Sequence, residues 1–183
     1  VITMPVAISV VWKWLYNGDY GIINYGLSEL GINGPRWLTD PKLALYSVIV
    51  VAIWSSIGYN MILFLSGLQG ISSTYYEASS IDGANGLRQF FYITMPMLTP
   101  TIFFVTVISL IDALQVFDLI YVMIGPDSPV IEQTQSVVVL FFQHAFVLNE
   151  KGYASTIIML LFVVIMIITL IQLRLQKRWV YYE

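Results

Sequence analysis

Leu43–Leu68 reads LALYSVIVVAIWSSIGYNMILFLSGL, with no charged residue in it. Crossing the hydrocarbon core of a bilayer takes roughly 20 residues of helix, so this run is long enough to span one. Lipid offers no partner to an unpaired backbone N–H or C=O, which restricts such a segment to a helix. Asp40-Pro41 stands before it, an N-cap residue followed by proline at the first helical position, and Trp37-Leu38 precedes those as an interface anchor. Working outward, Met97–Ile124 and Tyr153–Leu173 are further apolar runs. Val1–Tyr16 is a shorter one, closed by Trp12, Lys13, Trp14 and Tyr16. The pattern predicts an all-α fold, a polytopic membrane helical bundle with about four transmembrane helices. Residues 1–183 read as one transmembrane domain. Val1 already lies inside an apolar run with no charged segment or cleavage pattern before it, so the expectation is a chain entered part-way through a helix, with N-terminal helices lacking.

Composition agrees and excludes several function classes. Of 183 residues, 58% are hydrophobic and 10% charged, against about 25% charged in a soluble domain. Cysteine is absent, which removes disulfides and thiolate metal sites. A net charge of −3 offers no basic surface for nucleic acid. Lys13, Lys42, Lys151 and Lys177 all lack the glycine-rich setting of a phosphate-binding loop, so nucleotide is not held by that route. His144, the single histidine, has no second ligand at a metal-binding spacing and reads as an interface residue. A membrane-embedded enzyme is disfavoured on the same grounds.

Between the second and third runs lies a polar island, Gly70–Pro96. Helix–helix connections in bundles take roughly two to eight residues, and this one is several times longer with helix-forming pattern inside it. Ser72 or Ser73 is placed to cap a short helix through Tyr75, Tyr76, Glu77, Ala78 and Ser79. Asp82-Gly83 supplies a turn tolerant of positive φ. Asn85 is placed to cap a second helix, Gly86–Tyr92, returning to the membrane at Met95-Pro96.

The apolar runs carry polar residues of their own. Ser56, Tyr59 and Asn60 share a helical face by i, i+3 and i+4 spacing. That face serves either hydrogen bonding between helices or a solute path. The third run holds Thr106, Ser109, Asp112, Gln115 and Asp118. A carboxylate at a helix centre costs roughly 2.5–3.5 kcal/mol to insert, and each Leu, Ile, Val or Phe returns about 0.3–0.6. Fifteen such residues between Leu98 and Val122 outweigh two aspartates. Intramembrane carboxylates face a protein interior or a wet cavity, so Asp112 is either a paired structural group or part of a pathway. Two aspartates in one helix also motivate an alternative, an ion-coupled secondary transporter using Asp112 and Asp118.

Two connectors remain. Asn17–Asp40 is broken by glycines, with one helical turn at Leu27–Leu30. In 125–152, Val137, Leu140, Phe141, Ala145 and Leu148 recur at three- and four-residue steps, which predicts an amphipathic helix over Gln133–Leu148. The final run is closed by Arg174, Lys177 and Arg178 beside Trp179, Tyr181 and Tyr182, and this cationic cluster places the C-terminus in the cytoplasm. Two crossings separate it from the polar island, which therefore also faces the cytoplasm. Both connectors face outward.

Glu77-Ala78-Ser79-x3-Gly83-x9-Ile93-x-Met95-Pro96 resembles the EAA-x3-G-x9-I-x-L-P loop of binding-protein-dependent ABC importer permeases, with Ser79 and Met95 as mild departures. The likeness extends along the chain. Gly21–Asn24 with Leu27 resembles that family's G-x-I-N-x-x-L, and Trp37–Pro41 with Ala44 its WL-x-DP-x-x-A. Phe117–Val122 is similar to its FD-x-IY, and Gly152–Ser155 to its GYAS. These point to the carbohydrate-uptake branch, the maltose and glycerol-phosphate permease relatives. Ser72 stands where relatives have proline, and Ile124-Gly125-Pro126 where they have a TGGGP turn.

The resemblance implies a non-catalytic permease subunit forming the pathway for a sugar or related polyol or glycerol-phosphate solute, in a bacterial or archaeal cytoplasmic membrane. Glu77, Ala78, Ser79, Asp82, Gly83, Ile93 and Pro96 would couple to an ABC ATPase subunit dimer, with Glu77 meeting a basic residue there and Gly83 at the closest approach. Ser56, Tyr59, Asn60, Ser109 and Asp112 would line the pathway. A second permease subunit, an extracytoplasmic solute-binding protein and membrane lipid are the further implied partners. No cofactor or metal is implied for this chain, since ATP and Mg would sit in the ATPase.

Overall fold

The computed structural model describes residues 4–180, without the side chains of Arg178 and Trp179. Those two side chains, with Val1, Tyr181 and Tyr182, lie outside the described residues. Within them the chain is helical and contains no strand. The principal helices are Pro5–Leu15, Ile22–Glu29, Ala44–Gln69, Ser73–Ile81, Thr99–Leu114, Asp118–Met123, Val137–Phe142 and Lys151–Trp179. Ala44–Gln69 and Lys151–Lys177 are long and apolar enough to cross a membrane. Gly86–Met97 and Thr99–Leu114 together make a third candidate, bent by 60°. Pro5–Leu15 has 11 residues and rises about 16 Å, roughly half a hydrocarbon core.

The helices belong to two compact units, residues 1–57 with 113–162, and residues 58–112 with 163–183. The core of the first is built from Tyr16, Ala44, Val48, Val51, Leu119, Ile120, Met123, Ile124, Val130 and Val139. Pro5–Leu15 packs along Asp118–Met123, and Lys13 Nζ donates to Val122 O at 3.0 Å, so a cation meets the carbonyl end of that short helix. Trp12 lies against both Tyr16 and Trp54 with ring centroids 5.4 Å apart, and Tyr16 against Trp37 at 5.6 Å.

Asn24 closes the first connector onto this core. Its Nδ2 donates to Gly18 O and Pro35 O, and its Oδ1 accepts from Trp37 Nε1 at 2.7 Å. Any side chain at Gly34 would drive a Cβ to 2.2 Å from Asn24 Oδ1. Ser47 Oγ in turn donates to Trp37 O, tying the connector to the long helix. Asn24→Ala is expected to lower stability by about 3 kcal/mol, because three part-buried hydrogen bonds of this buried side chain are lost at once. Thermal unfolding in detergent measures this directly.

Three sequence expectations change here. The Leu27–Leu30 turn is the end of a full helix, Ile22–Glu29. Met97–Ile124 is not one helix: it stops at Leu114 and resumes at Asp118. Between them the Val116 carbonyl accepts from Ser136 Oγ, and Phe117 stacks on Tyr121 and packs at a tilt against Phe142. The connector 125–152 also divides. Gln135 is extended, and Ser136 starts a new helix by accepting from Val139 N–H. The helix then widens to π geometry over Gln143–Val147. Val139 and Phe142 form its packed face, while Val137 and Leu148 are exposed.

Candidate functional site

The polar island folds as a helical corner within the second unit. Ser72 is the N-cap of Ser73–Ile81, its Oγ accepting from Thr74 N–H. Gly83 adopts φ +76°, a left-handed conformation that costs other residues roughly 1–2 kcal/mol. That lets the chain reverse in one residue. Asn85 then caps Gly86–Gln89, Oδ1 accepting from Arg88 N–H at 2.9 Å.

Beyond Gln89 the expected α-helix to Tyr92 gives way to a π-helix, Phe90–Thr94. Proline lacks an N–H and its ring crowds the carbonyl four residues back, so Pro96 disfavours α geometry at Tyr92. The wider π turn relieves that crowding. Pro100 repeats the problem one turn later, and the Pro96 carbonyl it leaves unpaired accepts from Thr99 Oγ1 at 2.6 Å. The 60° bend falls between these two prolines.

Side chains lock the corner. Gln89 Nε2 donates to Tyr76 O, Ser79 Oγ and Ser80 Oγ at 2.9–3.2 Å. Ser79 and Ser80 hydroxyls donate to Tyr76 O, and Tyr76 Oη shares a hydrogen bond with Thr94, which is buried. The two short helices therefore hold a fixed angle through side-chain ties that also satisfy helix carbonyls. Nothing local in the sequence distinguishes Gln89, a glutamine whose partners lie nine to thirteen residues earlier.

Glu77, Ala78, Asp82 and Gly83 are exposed on this corner. Glu77 and Asp82 make no ion pair among the described residues. Ser79 is half-buried and turned inward to Tyr76 and Gln89. Ile93 and Pro96 are half-buried at the return to the span. Ile81, which sequence reading passed over, is 88% exposed. An aliphatic side chain this exposed beside unpaired carboxylates makes a mixed apolar and acidic surface.

The second group of candidate residues lies on the spans. On Ala44–Gln69, Ser56 is exposed with its Oγ donating to Ile53 O, Tyr59 is exposed and Asn60 half-buried. On Thr99–Leu114, Ser109 and Asp112 are exposed, and Asp112 lies in the last turn rather than mid-helix. Asp118 opens a different helix. The premise of two aspartates on one helix, which motivated ion coupling, is corrected by the break at Gln115–Phe117. His144 Nδ1 is hydrogen-bonded to Glu150 Oε2 at 2.8 Å, and the imidazole lies edge-on to Tyr153. Among the described residues no group of His, Asp or Glu could hold a metal.

A family model described as "Binding-protein-dependent transport system inner membrane component" matches residues 1–181. The chain belongs to this family. Among this transport family, "Probable ABC transporter permease protein YesP" of Bacillus subtilis is 36% identical over 184 residues, covering 100% of this chain and 59% of that protein. "Trehalose/maltose transport system permease protein MalF" of Thermococcus litoralis is 35% identical over 175 residues, covering 95% of this chain and 58% of that protein. The chain thus spans under two thirds of the length of these relatives. A solved structure of a bacterial ABC transporter involved in the import of the acidic polysaccharide alginate aligns with TM-score 0.88 at 24% identity, over 97% of this chain and 62% of that one. The likeness establishes the helical fold, and the family match makes the chain a multi-pass inner-membrane component.

Proposed function

We propose that this chain is part of the permease subunit of an ATP-driven sugar importer. The corner Ser73–Gln89 docks on a separate ATPase, and polar residues of the spans line the solute pathway. The observation that carries the reading is the corner itself: braced internally, yet presenting Ile81 outward with Glu77 and Asp82, which have no ion-pair partner among the described residues. A transmission element has to be stiff along its own length and complementary to a partner at its tip. Glu77 supplies a charge for a basic residue, Ile81 an apolar anchor, and Gly83 a close approach of backbone. A second permease subunit and an extracytoplasmic solute-binding protein complete the assembly, in a bacterial or archaeal cytoplasmic membrane with the corner and the basic tail on the cytoplasmic side. Sugar is the solute class because the relatives' names include trehalose/maltose, sulfoquinovosyl glycerol and arabinooligosaccharides. Tyr59, Ser56, Asn60 and Ser109 bring hydroxyl, amide and aromatic groups suited to such solutes.

ATP binding would draw the two ATPase subunits together, carry the docked corner with them and reopen the attached helices outward. The test is uptake by the assembled transporter in vesicles. Accumulation of labelled sugar is expected only with ATP, the ATPase subunits and the binding protein present. Uptake driven by an ion gradient in their absence would sink the proposal.

A further inference from the structure

We infer that Asp112 makes the solute pathway exclude anions, so that the transporter takes uncharged saccharides and rejects uronate- and phosphate-bearing ones. The inference rests on the pathway reading of the Ser109–Asp112 face. Asp112 is exposed within this chain although it belongs to an apolar candidate span. Carboxylates in such positions face water-filled cavities or protein, not lipid. It has no hydrogen bond or ion pair among the described residues. Neither helix bearing these polar residues supplies a cation: Ala44–Gln69 has no charged residue, and Asp112 is the one charged residue of Thr99–Leu114.

Backbone placement adds to the effect. The helix ends at Leu114, two residues beyond Asp112, and a helix C-terminus carries roughly half a negative charge on its unpaired carbonyls. The carboxylate and the helix end therefore repel anions together. An ionised carboxylate is also an acceptor only, with two oxygens open to several donors, which suits the hydroxyls of a neutral sugar. Ser109, one turn earlier and likewise exposed, completes an acceptor-rich stripe.

The chain contains no cysteine, so Ser109→Cys gives it a single thiol one turn from Asp112. In the assembled transporter, with the unsubstituted complex as background, that thiol is treated with small cationic and anionic methanethiosulfonate reagents. A unit charge one turn away in a partly shielded site favours the cationic reagent by about tenfold or more. Adding Asp112→Asn is expected to bring the two rates close to parity. Equal rates with Asp112 intact, or a faster anionic reagent as a partner subunit's cation would produce, overturn the charge filter while leaving a wet pathway in place. No reaction with either reagent overturns the pathway reading, and this inference with it. Where Ser109→Cys fails to assemble, Thr106→Cys gives the same comparison with a smaller ratio, since Thr106 lies a turn further from the charge.

Discussion

Glu77→Lys is expected to abolish co-purification of the ATPase while leaving the permease folded. Glu77 is exposed and has no ion-pair partner among the described residues. Within this chain its replacement falls in the range of about ±0.5 kcal/mol that surface substitutions produce. At a docked interface the balance differs. Removing one member of a buried charge pair costs about 2–5 kcal/mol, and opposing like charges adds to that. A loss of about 4 kcal/mol weakens binding close to a thousandfold. Glu77→Gln keeps the shape and is expected to weaken association less, because no repulsion replaces the lost attraction. Ile81→Asp tests the same surface independently, through its apolar anchor rather than its charge. Size-exclusion chromatography of the permease with its ATPase, with melting temperature as a folding control, reads all three. Association unchanged in Glu77→Lys would count heavily against docking at this corner.

The corner was largely legible in the sequence because its punctuation is local. Ser72 and Asn85 cap by contacts two and three residues ahead, and Gly83 reverses the chain by its own φ. Those signals survive in any context. The break at Gln115–Phe117 was not legible, because no proline or glycine marks it. It is set by Ser136 reaching the Val116 carbonyl and by Phe117 packing against Phe142, contacts with residues about twenty or more positions away. The division of 125–152 has the same origin, since Ser136 both caps a new helix and holds Val116. The spacing of Val137, Leu140, Phe141, Ala145 and Leu148 reports an apolar stripe but not which part of it finds a neighbour. Asn24 entered the sequence reading only through a motif resemblance. Its work, gathering Gly18, Pro35 and Trp37, becomes visible once the connector is folded. On the spans, polar residues could be found by composition but not assigned to solute or to helix contacts, since both uses demand the same side chains.

Gly67→Val is expected to reduce uptake at least tenfold and to lower the stability of the second unit. Gly67 lies near the end of Ala44–Gln69, just before the corner begins, and the bent span crosses against it. A Cβ there would stand 2.3 Å from Thr101 Oγ1 and 3.0 Å from Leu98 Cδ1. A helix interior prefers alanine to glycine by about 1 kcal/mol, so glycine here trades intrinsic helix stability for close approach. Overpacking costs about 1–3 kcal/mol, and a branched side chain forces the two spans apart at the point where the corner enters and leaves them. On the docking reading, that contact lets the corner's motion pass into both spans as one body. Thr101→Ala removes the hydroxyl that the new carbon would meet. The pair Gly67→Ala and Thr101→Ala is therefore expected to be more stable than the sum of the single changes by about 1–2 kcal/mol. A double-mutant cycle on thermal unfolding, run beside uptake assays, separates two roles. If stability and uptake recover together, the close approach is the element that transmits motion. If stability recovers and uptake does not, Gly67 serves packing alone, and the corner must act on the spans through the Pro96–Pro100 bend instead.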